Sequence, residues 1–144
     1  TLSGVGAYLK SKNKGISIGL ADPMGANMYS FFKTGELKSE GSSITEGIGQ
    51  GRITENIKDM SLDIPFRVND SEALNILYDL IEEEGLFLGL SSGINIAGAK
   101  KLAKSLGKDK TIVTILCDSA NRYQNKMFNA GFLEENNLPI PSWL

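Results

Sequence analysis

Leu86-Phe87-Leu88-Gly89-Leu90-Ser91-Ser92-Gly93-Ile94 is the stretch that decides the fold class of this chain. The run from Leu86 to Leu90 is apolar apart from Gly89, and its brevity predicts a buried strand rather than a helix. The period then changes at once: Ala99, Leu102, Ala103 and Leu106 fall on one face of a helix that Gly107 stops. A strand running into a helix through small hydroxylated residues is a joint of a parallel α/β sheet.

The segments on either side repeat that alternation. Upstream, Asn69-Asp70-Ser71-Glu72 predicts a capped helix start, a variant of the capping box. Ala73, Leu74, Ile76, Leu77, Leu80 and Ile81 give that helix a wide apolar stripe, and Gly85 its left-handed stop. Downstream, Thr111 to Asp118 predicts a further strand that holds Cys117 as a small buried residue. A short helix follows around Lys126 to Glu135, then an extended tail from Leu138 to Pro141. At the other end Val5, Tyr8 and Leu9 lie at helical spacing, and Ile16 to Leu20 predicts a strand closed by Ala21-Asp22-Pro23. Between residues 22 and 61 glycines punctuate a Ser-, Thr- and Lys-rich stretch with little periodicity, the texture of a functional loop or of a disordered insertion. The order helix–strand–loop–helix–strand–helix–strand is that of a parallel sheet with right-handed crossovers. Such sheets are covered on both faces, and three core strands predict part of a larger domain.

Composition narrows the chemistry. The chain has 144 residues, 41% hydrophobic and 22% charged, which suits roughly one domain with a buried core. Fifteen Lys and Arg against 17 Asp and Glu provide no general basic surface for nucleic acid. One cysteine and no histidine exclude an internal disulfide framework, a histidine triad and His-ligated metals. No apolar run reaches the ~18 residues of a membrane span, and no signal segment is visible, so a cytoplasmic protein is expected. The remaining reactive groups are Lys, Ser, Thr, carboxylates, backbone amides and any bound cofactor.

Open α/β sheets bind ligands outside the carboxyl ends of their strands, where helices begin. Thr1-Leu2-Ser3-Gly4-Val5-Gly6 opens a helix whose free amides suit a phosphate, or is an ordinary capped helix start. Ser91-Ser92-Gly93 places hydroxyls at a strand–helix joint, for a ligand heteroatom or as a plain N-cap. With no histidine to activate it, a serine nucleophile is disfavoured there. Thr45-Glu46-Gly47-Ile48-Gly49-Gln50-Gly51 lets backbone approach a ligand, or is a mobile surface loop. It is not a dinucleotide fingerprint, because no strand precedes it at the required spacing.

Taken together, Thr1 to Gly6, Glu46-Gly47-Ile48-Gly49, Glu83-Glu84-Gly85, Gly89 to Gly93 and Cys117 to Tyr123 resemble cysteine synthases, the O-acetylserine sulfhydrylases among fold-type II pyridoxal-phosphate (PLP) enzymes. The tail Leu138-Pro139-Ile140-Pro141-Ser142-Trp143-Leu144 strengthens the likeness, which covers essentially the whole chain. The resemblance implies an α/β three-layer sandwich with a mostly parallel sheet, tryptophan synthase β-like, here incomplete. Residues 1–144 would be its C-terminal portion. It implies a cytoplasmic transferase of cysteine biosynthesis that exchanges the acetate of O-acetylserine for sulfide.

The cofactor implied is pyridoxal 5'-phosphate. Thr1 matches the end of the family's phosphate cup, Gly47 the glycine beside cofactor and substrate, and Ser91 the serine facing the pyridine nitrogen, with Ser92 as the alternative register. The lysine that bonds the cofactor would lie before Thr1. No catalytic residue is therefore expected in the chain, which would be inactive alone, and Lys10, Lys12, Lys14, Lys100, Lys101 and Lys104 read as solvated charges. Ser119-Ala120 depart from the family's bulkier residue and glycine. A homodimer and a serine acetyltransferase partner are implied for the intact enzyme. The competing readings are a non-catalytic assembly module and a cystathionine β-synthase-like or dehydratase-like enzyme.

Overall fold

A computed structural model describes residues 1–144. The chain begins with helix α1 (Leu2–Lys12), followed by strand β1 (Gly19–Pro23), helices α2 (Met28–Thr34) and α3 (Glu55–Lys58), and strand β2 (Ile64–Val68). Two long helices, α4 (Asp70–Glu84) and α5 (Leu90–Leu106), form the centre. A 3₁₀ turn (Ala120–Tyr123) and two short helices, α6 (Gln124–Met127) and α7 (Ala130–Glu135), complete the chain.

α4 starts and stops as its sequence dictates. The Asn69 side chain accepts from the Glu72 N–H while the Glu72 carboxylate accepts from the Asn69 N–H. Gly85 closes the helix at φ 67°. Leu74, Leu77 and Tyr78 of its apolar stripe join Leu90, Ala120, Tyr123, Met127 and Leu133 in one buried cluster. A second cluster joins Ala73 to Val68, Ile94 and Ala97. α5 can lie close to both neighbours because Gly93 faces the Ala73 carbonyl and Leu77 on α4, and Gly98 faces Ala21 on β1.

The sheet is smaller than expected and lies elsewhere. β1 and β2 pair in parallel, Gly19 opposite Ile64 through Pro23 opposite Val68. β1 thus begins three residues later than the predicted Ile16, although the Ile18 carbonyl already accepts from the Asp63 and Ile64 amides. β2 has no counterpart among the predicted strands, because Pro65 and Arg67 interrupt its apolar pattern. The predicted strand Leu86–Leu90 is reduced to an isolated antiparallel bridge between Leu88 and Ser119, and Leu90 already opens α5. Thr111 to Asp118 forms no ladder: no neighbouring strand is available to it, and Val113, Ile115 and Leu116 are 85%, 55% and 50% exposed. Cys117 is exposed rather than buried for the same reason. The stretch from 22 to 61 is not wholly irregular, since α2 and α3 interrupt it. No helix is long and apolar enough to cross a membrane.

Candidate functional site

Helix starts are where this architecture has free hydrogen-bond donors, and its three long helices treat them differently. α4 closes its first turn with the Asn69–Glu72 box and carries Asp70 and Glu72 there. α1 and α5 have no side-chain cap and no acidic residue in their first turns. Two helix ends therefore keep donors and the positive end of the dipole open to an incoming acceptor or anion.

At the α5 end the two serines have different duties. Ser92 is fully buried and its hydroxyl accepts from the Cys117 N–H at 2.9 Å. Ser91 is 7% exposed, and its hydroxyl forms no hydrogen bond within the chain yet is not sealed from solvent. Ser92 is structural by its geometry, and Ser91 is the residue left with a hydroxyl to offer.

The segment 117–120 wraps the foot of this helix. The Gly89 N–H donates to the Asp118 carbonyl at 2.8 Å and the Ala120 N–H to the Phe87 carbonyl at 3.2 Å. The Asp118 carboxylate accepts from the Tyr123 hydroxyl at 2.7 Å. That bond to an acidic partner holds the Tyr123 pKa above the ordinary phenol value, and burial adds to it. A Cβ on Gly89 would collide with the Asp118 carboxylate and the Tyr123 ring, so only glycine fits at this N-cap.

Gly47 lies in the loop between α2 and α3. Ile44, before it, packs on the cluster that contains Leu90, and Ile48, after it, packs on the cluster that contains Ile94. Leu90 and Ile94, one from each cluster, flank Ser91 in α5. Gly47 has φ 72° and Gly49 φ 87°, left-handed values that favour glycine. A Cβ on Gly47 would meet nothing within 4 Å, whereas one on Gly49 would meet Ala26 at 2.8 Å. Open space thus lies in front of Gly47 and packed protein in front of Gly49.

Thr1 is exposed, makes no cap bond, and no hydrogen bond joins it to Ser91 or to the Gly47 segment. α1 instead rests Gly6 against Ile18 and contacts α3.

Sequence reasoning missed two sets of residues. Lys126 binds Glu46 at 2.5 Å and the Ile44 carbonyl at 2.9 Å, contacts across 80 and 82 residues that no local pattern reveals. Two lysines read as solvated charges are also engaged: Lys10 with Asp63, and Lys101 with Glu72 and the Arg67 carbonyl. No cluster of potential metal ligands is present.

Comparison with known proteins gives this geometry a family. The family model described as pyridoxal-phosphate dependent enzyme matches residues 1–118. A cysteine synthase 1 of Neurospora crassa is 45% identical over 143 residues, covering 96% of this chain and 38% of that protein. A cysteine synthase of Dictyostelium discoideum is 38% identical, covering 97% of this chain and 40% of that protein. Among solved structures, the O-acetylserine dependent cystathionine beta-synthase from Helicobacter pylori superposes with a TM-score of 0.76 at 28% identity, over 88% of this chain and 39% of that one. The chain therefore spans about two fifths of the length of the curated relatives it matches. With the family model covering most of its residues and the cysteine synthases aligned along nearly all of them, the chain belongs to the pyridoxal-phosphate dependent enzymes.

Proposed function

We propose that residues 1–144 form the C-terminal portion of a cysteine synthase, providing one wall of its pyridoxal phosphate site. The observation that carries this reading is the division between the serines: Ser92 is committed to the Cys117 amide, while Ser91 keeps a free hydroxyl in the uncapped first turn of α5.

The residues present fit the group. Ser91 supplies a neutral donor for a ring nitrogen, Gly47 an unobstructed backbone edge, and the uncapped start of α1 with the Thr1 hydroxyl a place for a phosphate. When bound, pyridoxal phosphate acts as an electron sink for bond cleavage in an amino-acid substrate. The Ser91 hydroxyl would hydrogen-bond the ring nitrogen without protonating it, unlike a carboxylate partner, and so would moderate that sink. Moderate withdrawal suits loss of a β-substituent followed by addition of a nucleophile, here acetate leaving O-acetylserine and sulfide replacing it. On this reading the lysine that bonds the cofactor comes from outside these residues. The chain is then inactive alone and the whole enzyme is a homodimer. We place the protein in the cytoplasm, where an exposed thiol such as that of Cys117 stays reduced.

The test uses the full-length protein with Ser91→Asp, Ser91→Ala and Ser92→Ala variants. Ser91→Asp shifts the absorption spectrum of bound PLP and depresses cysteine formation from O-acetylserine and sulfide. Ser91→Ala weakens PLP binding, whereas Ser92→Ala lowers stability first. A Ser91→Asp spectrum identical to that of the unaltered protein removes Ser91 from the role. The likeness to the Helicobacter pylori structure favours a second reading, in which a larger thiol replaces sulfide. Faster turnover with homocysteine than with sulfide selects that reading.

A further inference from the structure

We infer that Lys126 is a positioning residue, which fixes the glycine segment 46–49 through Glu46 and the Ile44 carbonyl. The inference deepens the cofactor-site reading above and rests on it.

A segment with two left-handed glycines has little stiffness of its own. Its flanks are well tied. The Ile44 N–H donates to Asp70 at 2.8 Å, and Asn27 donates to the Gln50 and Gly51 carbonyls at 2.9 and 3.0 Å. Between those anchors Ile48 is seated by apolar contact, and the polar tie is the Glu46–Lys126 pair. Lys126 also donates to the Ile44 carbonyl, so one ammonium grips the segment at two points and fixes the backbone leading into Gly47.

The base of this lever is rigid. Met127, the next residue, is fully buried, and its carbonyl accepts from the Tyr78 hydroxyl at 2.7 Å. Three residues before Lys126, Tyr123 holds Asp118, whose carbonyl caps the foot of α5 at Gly89. The 3₁₀ turn and α6 together therefore form a strut. One end sets the position of α5 and hence Ser91, and the other sets Gly47.

The experiment compares Lys126→Met, Lys126→Arg and Glu46→Gln in the full-length protein. Two quantities are read: amide hydrogen exchange without cofactor, and the dissociation constant for PLP. Lys126→Met and Glu46→Gln speed exchange across residues 45–50 by about three- to five-fold, the scale of a lost surface pair, and leave α4 unchanged. Both weaken PLP binding by a similar factor, and Lys126→Arg restores protection and affinity. Unchanged exchange at 45–50 in Lys126→Met overturns the inference. So does faster exchange spread equally over α4, which would mark general destabilisation. If segment 45–50 responds as expected but the unaltered protein binds no PLP, the strut stands and the cofactor reading fails. If PLP binds and the segment does not respond, the cofactor reading stands and the strut fails.

Discussion

Gly93→Ala tests how closely α5 must approach α4 for the site to exist. A methyl at this position would lie 2.9 Å from the Ala73 carbonyl oxygen and 2.9 to 3.0 Å from two carbons of Leu77. Carbon–carbon contacts are comfortable at about 3.5 to 4.0 Å, so α5 must retreat by roughly 0.5 to 1 Å. Overpacking of this kind costs about 1 to 3 kcal/mol. The same substitution also brings a helix-propensity gain of up to ~1 kcal/mol, which would obscure the loss if Gly93→Ala were measured alone. Gly4→Ala in α1 supplies the reference, because its Cβ would meet nothing within 4 Å. Comparing the two variants removes most of the shared gain and leaves the overpacking as the main difference. Urea unfolding followed by helical circular dichroism should therefore place the Gly93→Ala midpoint below that of Gly4→Ala by about 1 to 3 kcal/mol. Gly93 lies two residues beyond Ser91, so PLP affinity falls in the same variant. Equal midpoints for the two variants would refute the claim that contact at Gly93 sets the α4–α5 distance.

Four further substitutions separate packing from function. Gly47→Ala and Gly49→Ala both meet left-handed backbone, but Gly49→Ala also meets Ala26 and Pro23 and should unfold at lower urea, whereas Gly47→Ala, facing open space, should chiefly weaken PLP binding; equal unfolding midpoints would contradict this. Asp22 is 1% exposed and burial raises its pKa, against the Tyr29 and Met28 amides and the Arg67 charge that lower it. Its folded form holds a proton more tightly than the unfolded one, so its contribution is most favourable in acid and is lost as pH rises from the unfolded value through the folded one. Asp22→Asn should flatten that part of a stability–pH curve; an unchanged slope would deny the shift. Tyr78→Phe removes the bond to the Met127 carbonyl and should cost about 1 kcal/mol. Burial pushes the Tyr78 pKa up to about 12, so its protonated folded form contributes fully below pH 10, and that contribution fades as pH climbs from 10 towards 12. Alkaline denaturation curves of the two proteins should converge over that range.

What could be read from the residues was what neighbours in sequence decide. The Asn69–Glu72 box, the Gly85 and Gly107 stops and the stripe of α4 depend on contacts within a turn or two, and all are present. β2 was hidden because a proline and an arginine sit in a parallel strand whose partner is 45 residues away. The opposite error arose at Thr111 to Asp118, where β-branched composition predicts a strand but a strand exists only with a neighbour to receive its hydrogen bonds. Of the candidate site, the Gly47 and Ser91 segments stood out only as small residues at turns. Which serine was free was not legible, because the answer lies in an amide 25 residues downstream.

The placement of charge explains how a net-negative chain can still leave helix starts free of carboxylates. Asp70 and Glu72 sit at the start of α4, the one long helix whose first turn is closed, and there they bind Ser43, the Ile44 amide and Lys101. Glu46, the carboxylate next to Gly47, has its charge matched by Lys126, whose hydrogen bond holds its pKa below the usual carboxylate range. Arg67 pairs with Glu40 and lies over the Tyr29 ring at 4.5 Å, so it serves the β2 edge. The first turns of α1 and α5 are left with neither acid nor cap. On the proposed reading a neutral hydroxyl at Ser91 needs such surroundings: a carboxylate in the first turn of α5 would compete for the free amides and would favour protonation of a ring nitrogen held there. The same substitution at Ser92 would instead sever the amide bond that secures residue 117. The two adjacent serines thus divide one helix turn: Ser92 holds the fold together, and Ser91 keeps a hydroxyl without a partner in the chain.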